Sequence, residues 1–121
     1  TNFDTLAIDY IAVWNETDPR AAVERLWSSA GRYVDPMAAA HGPIEIDATI
    51  GAVQDQFSGW TFRLAGPVDA HHDQARFQWE LGPAGVEAPI VGFDVVERDS
   101  EGRLTQVLGF STESRECDAQ I

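Results

Sequence analysis

The hydrophobic pattern of this chain changes period once, at Trp60. Before it, apolar residues recur at the three-to-four spacing of helices; after it, they alternate. Helices gathered at one end and strands at the other fold as α+β, with the helices packed on one face of an antiparallel sheet. A sheet curved around helices leaves a cone with an internal pocket. That is the expected fold: a single domain over residues 1–121, with 112–121 as a flexible tail.

The helical half divides at its breakers. In "FDTLAIDYIAVW" Phe3, Leu6, Ala7, Tyr10, Ile11 and Trp14 share one face of a helix. "TDPRAAVERLWSSAG" predicts a second helix, with Asp18 as N-cap, Pro19 at its first position, an apolar stripe of Ala22, Val23, Leu26 and Trp27, and Gly31 as its stop. "RYVD" then reads as a short strand entering the Asp35-Pro36 corner. A third helix fits 43–57, with Ile46, Ile50, Val53 and Phe57 as its stripe and Gly59 ending it. Beyond Trp60, "TFRLAGPVDAHH" and "ARFQWEL" form a hairpin around Asp73-Gln74. In its second arm Ala75, Phe77, Trp79 and Leu81 alternate with Arg76, Gln78 and Glu80, as in a sheet covered on one side. Residues 88–99 and 103–112 supply two more strands, and Gly92 and Gly109 inside them predict bends or bulges.

Charge narrows the ligands. The net charge is −12, and all eight cations are arginine. A basic footprint for nucleic acid is absent, and so is one for anionic membranes. No run approaches the ~20 apolar residues of a membrane span. Nor does the N-terminus carry a basic-then-apolar signal pattern, so the expected location is the cytoplasm. The one cysteine, Cys117, has no partner for an internal disulfide and reads as an incidental surface thiol. A neutral, mostly apolar small molecule remains compatible with this composition.

Three polar residues sit where apolar ones are expected. Asp94 lies in the middle of "VGFDVVE", although aspartate is disfavoured in strands. Its face is that of Ile90, Gly92 and Val96, so it is either a buried neutral carboxyl or one half of a structural pair. Tyr10 lies on the apolar face of the first helix, as a core tyrosine or as a pocket hydroxyl. Asp35 stands at the corner before the third helix, as a turn cap or as a pocket carboxylate. His71 and His72 point to opposite sides of a strand, which argues against a shared metal ion. His41 is placed near the mouth of the pocket or at the entry of the third helix.

The joint pattern resembles a known family. "YVDPMAAAHGPIEI", "GPVDAHH" and "FDVVERDSEGRL", with Tyr10 on the first helix, are similar in order and spacing to ketosteroid isomerases of the nuclear-transport-factor-2-like (SnoaL-like) superfamily. The similarity runs from about residue 6 to 110. It implies a cofactor-free proton-transfer enzyme acting on a hydrophobic ketone through an enolate, with neither metal nor organic cofactor. In that reading Asp35 is the general base, and Tyr10 and a protonated Asp94 donate to the oxyanion; ketosteroid isomerase is itself a standard example of a carboxyl held neutral by an apolar site. Trp14, Trp27, Phe77, Trp79, Ile90 and Val96 are the expected substrate-binding residues. The resemblance also implies a homodimer through the outer face of the sheet. Trp27 and Ile50 stand where some of these isomerases carry extra tyrosines, and Ser111 replaces an aromatic lining residue. Two other functions stay open: a SnoaL-type polyketide cyclase or dehydratase, and a non-catalytic small-molecule-binding or dimerisation domain. The last strand, "GRLTQVLGF", lacks the Glu-His-Trp ending common in such cyclases.

Overall fold

Helix α1 (Phe3–Val13) buries Phe3, Leu6, Ala7, Tyr10 and Ile11 and starts under an Asn2 cap, whose side-chain oxygen accepts from the Thr5 amide at 2.8 Å. The structure is a computed structural model and describes residues 2–112. Cys117 and nearly all of the expected tail lie outside the described residues. Helix α2 (Arg20–Leu26) follows, then strand β1 (Trp27–Val34), the short strand β2 (Ala39–His41) and helix α3 (Gly42–Gln56). Four strands complete the chain: β3 (Thr61–His71), β4 (Gln74–Gly82), β5 (Ile90–Arg98) and β6 (Leu104–Ser111). Together these form three helices against one curved, open six-stranded sheet, ordered β2-β1-β6-β5-β4-β3.

The sequence misplaces the second helix. It ends at Leu26, and Trp27 opens β1 instead of extending the helical stripe. The N-cap is Pro19 rather than Asp18, and no side chain caps it. Ser28, Ser29 and Gly31 are poor helix formers, and pairing with β6 claims them for the sheet. β1 runs parallel to β6, with Trp27 beside Leu104 and Val34 beside Leu108, and its register shifts between Trp27 and Arg32. Gly31 serves that irregularity. A Cβ there would stand 2.9 Å from the Trp27 ring and 3.0 Å from the Ser28 carbonyl. β2, too short for a period to show, pairs antiparallel with the end of β1.

The remaining pairs are antiparallel, as the alternation predicts. β4 and β5 stay in register from Gln74–Glu97 to Leu81–Ile90. β5 and β6 are in register across Gly92–Ser111 and Asp94–Gly109, their shift falling later, between Glu97 and Arg98. Gly92 and Gly109 therefore mark no bulge. A bulge does occur in β3, between Ala65 and Asp69, where Gly66 adopts φ +81°.

Two polar side chains tie the end of α1 to the sheet and to α3. Asn15, just past α1, donates to the Phe62 carbonyl at 2.9 Å and accepts from the Phe62 amide at 2.8 Å. From α3, Gln54 donates to the Trp14 and Glu16 carbonyls. Each bond satisfies a backbone group that chain reversal would leave open. The core between helices and sheet is built from Tyr10, Val23, Trp27, Ile46, Ile50 and Leu104, among others. No helix among the described residues is long and apolar enough to cross a membrane.

Candidate active site

Asp94 is the one buried carboxyl side chain among the described residues, 4% exposed. Strand alternation explains its direction: Val96 and Ile90 share its inward face. Both carboxyl oxygens are held. Oδ2 accepts from the Tyr10 hydroxyl at 2.7 Å, and Oδ1 accepts from the Trp79 indole N–H at 2.9 Å. Burial pushes the Asp94 pKa up to about 6; the two hydrogen bonds favour the charged form and limit the rise, and the Asp35 charge adds to it. Burial, reinforced by the Asp94 charge, also holds the Tyr10 hydroxyl well above its ordinary value. The Trp14 indole, edge-on to the Tyr10 ring at 6.3 Å, opposes that rise.

Asp35 is built differently. It sits at the tight connection from β1 to β2, its amide bonded to the Ala38 carbonyl. Oδ1 caps the turn, accepting from the Met37 and Ala38 amides at 2.8 Å each. Oδ2 accepts from the Tyr33 hydroxyl at 2.5 Å. Tyr33, two residues earlier on the same strand face, is 5% exposed. Burial, with the Asp94 and Asp35 charges, raises its pKa well above the ordinary tyrosine value.

Gly109 on β6 lets both aspartate side chains pack against one bare stretch of backbone. A Cβ at this position would stand 3.0 Å from Asp94 Oδ1, 3.2 Å from Asp35 Cβ and 3.6 Å from the Tyr33 hydroxyl. Gly92 does the same for the indole. Opposite Trp79 in the ladder, it leaves room where a Cβ would fall 2.4 Å from the ring. Glycines at such close approaches are required by space rather than by turn geometry.

These groups border one cavity of about 80 Å³. Tyr10, Tyr33, Asp35 and Asp94 form its polar floor; Trp14, Phe62, Trp79, Leu81 and Ile90 are among its walls, and Met37, Gln56 and Phe57 stand on the helix and turn side. Of the expected substrate-binding residues, Trp14, Trp79 and Ile90 line it. Trp27, Phe77 and Val96 do not; they are core residues, with Trp27 and Phe77 packed edgewise or tilted against Tyr10 at 6.3 and 5.6 Å. His41 is exposed and does not border the cavity. His71 and His72 are exposed at the hairpin, their ring nitrogens 3.1 Å apart. Among the described residues, no group of three His, Cys, Asp or Glu side chains could hold a metal ion.

Sequence reasoning missed Tyr33 as a site residue, although its i, i+2 relation to Asp35 in "RYVD" places both on one strand face. It also took Trp79 as an apolar wall only, overlooking its N–H.

No protein-family model matches the chain, and no curated protein matches it. Solved structures do. A protein from Sinorhizobium meliloti described as a "putative polyketide cyclase" superposes with TM-score 0.70 at 15% identity, covering 87% of this chain and 93% of its own. One from Catenulispora acidiphila, with a ketosteroid isomerase-like fold and in complex with trimethylamine, gives TM-score 0.72 at 17% identity over 86% and 82%. At these identities the likeness is one of fold, the cone of NTF2-like proteins. A much nearer relative is a "putative isomerase of the SnoaL-like family" from Agrobacterium tumefaciens. It is 39% identical, with TM-score 0.84, over 88% of this chain and 94% of that one. On that identity and coverage, the chain belongs to the SnoaL-like family.

Proposed function

We propose that the chain is a cofactor-free proton-transfer enzyme that isomerises a hydrophobic ketone, of the steroid Δ-isomerase type, through an enolate. The observation that carries this reading is the meeting of Asp35 and the buried Asp94 over Gly109 at the floor of one largely apolar cavity. Asp35, its oxygens fixed by two amides and a hydroxyl, takes a proton from the carbon beside the carbonyl and returns it further along the skeleton. The carbonyl oxygen enters between Tyr10 and Asp94, replacing their mutual hydrogen bond. Tyr10 donates to it, and Asp94 donates in its protonated form, which burial favours. The Trp79 N–H keeps the other Asp94 oxygen in place.

The outer face of the sheet supports a homodimer in the same proposal. Val91, Phe93 and Phe110 are exposed there, and the two phenylalanine rings stack at 5.0 Å.

Conversion of a 5-ene-3-ketosteroid to its conjugated isomer tests the reading. The wild-type protein should catalyse it, and Asp35→Asn should lower kcat by about 10²–10⁴ while the melting transition stays cooperative. A wild-type protein that binds the steroid without converting it would point to a binding domain instead.

A further inference from the structure

The cavity floor is rich in acceptors and already spends its donors. The Tyr10 hydroxyl and the Trp79 N–H turn to Asp94, and the Tyr33 hydroxyl turns to Asp35. A carboxylate has about four lone-pair positions. Asp94 keeps two of these unused, and Asp35 keeps one.

The walls add a second feature. Tyr33, Trp14, Phe62 and Trp79 form a continuous arc of rings, with successive centroids 5.4, 5.4 and 5.5 Å apart. Each end of the arc is bonded to a carboxylate, Tyr33 to Asp35 and Trp79 to Asp94, and both aspartate side chains pack against Gly109. The ring of groups is therefore closed around the cavity. No Lys, Arg or His is among the described residues that line it. Aromatic faces carry negative potential and attract cations within about 6 Å, more strongly where water is excluded.

We infer that this cavity binds a hydrophobic organic ammonium ion, its charge held between Asp35 and Asp94 and its alkyl groups against the Trp14–Phe62–Trp79 arc. The inference rests on the same cavity being the ligand site, as in the proposed function, but it needs no turnover. It also carries its own pH dependence. Asp94 is faced by Tyr10 from α1, by Tyr33 and Asp35 from β1 and its corner, and by Trp79 and Gly109, which do not titrate, from β4 and β6. Cation binding uses the ionised Asp94, so affinity should fall as the pH drops through about 6. A neutral carbonyl ligand, which needs the protonated form, should show the opposite trend.

The test compares benzyltrimethylammonium, whose charge does not titrate, with N,N-dimethylbenzamide, a neutral probe carrying a carbonyl acceptor. Binding is followed by calorimetry at about pH 8. The wild-type protein should bind the cation at least tenfold more tightly than the amide. Asp94→Asn and Asp35→Asn should each remove most of that preference. Equal affinities in the wild type, or a cation affinity that neither substitution changes, would overturn the inference. The steroid assay on the same preparation separates the two readings. Turnover without cation preference sinks only the ammonium site, and cation preference without turnover sinks only the isomerase. If neither probe binds and no turnover occurs, the cavity is not a ligand site and both fall.

Discussion

Asp35 and Asp94 approach each other across the bare backbone of Gly109, where an added Cβ would sit 3.2 Å from one side chain and 3.0 Å from the other. Gly109→Ala should therefore wedge a methyl group between the Asp94 carboxyl and the Asp35 methylene. Neither can yield freely, since Asp35 is tied to two turn amides and Asp94 to two side-chain donors. Overpacking of this kind costs about 1–3 kcal/mol. A displacement of about 1 Å lowers turnover on the order of 10²-fold. Thermal melts and isomerase rates on this variant check both figures. An unchanged rate would show that the spacing of the pair is irrelevant to turnover.

Asp94 also predicts how stability depends on pH. Its folded-state pKa, about 6, lies above the ordinary 3.8, because burial favours the protonated form. The folded protein thus holds this proton more tightly than the unfolded chain does. The stability it contributes is complete below 3.8 and is lost as the pH rises through about 6. The loss amounts to roughly 3 kcal/mol. Asp94→Asn has no such proton to lose. Its stability relative to wild type should rise by about that amount between roughly pH 4 and pH 7 in denaturant titrations. A difference that stays flat with pH would mean that the carboxyl is not desolvated.

Tyr33 anchors the inner side of Asp35. Tyr33→Phe removes the 2.5 Å bond and leaves the two amide bonds on the other oxygen. Loss of a buried hydroxyl bonded to a carboxylate lowers stability by about 1–2 kcal/mol. Turnover should drop by about tenfold, because the carboxylate keeps its place but loses its orientation. Urea unfolding and steady-state kinetics measure the two effects separately.

Much of this fold can be read from the sequence where the hydrophobic period runs long enough. α1 and α3 declare themselves through Phe3–Leu6–Tyr10 and Ile46–Ile50, and β4 through Ala75–Phe77–Trp79–Leu81. The α2–β1 junction does not. Ala22, Val23, Leu26 and Trp27 continue a helical stripe without a break, and only pairing with β6 assigns Trp27 to a strand. β2 has three residues, fewer than any period needs. The positions of Tyr10, Asp35 and Asp94 follow from face assignments and from the family resemblance. The supporting groups were less visible. Gly92 and Gly109 read as bends because the sequence does not reveal that an indole and two carboxyl groups need their space. Trp27, Phe77 and Val96 share inward faces with wall residues, and inwardness alone does not separate wall from core.

Proton exchange at carbon reads the central chemistry without waiting for complete isomerisation. In heavy water, the wild-type protein incubated with a 5-ene-3-ketosteroid should place deuterium on the ring carbons that lose or gain the proton. Mass spectrometry should find this labelling at least about 10²-fold slower with Asp35→Asn. Isomerisation without labelling would show that Asp35 returns the proton before solvent exchanges it. Isomerisation and labelling that are both equally fast in wild type and Asp35→Asn would contradict a carboxylate base at this position.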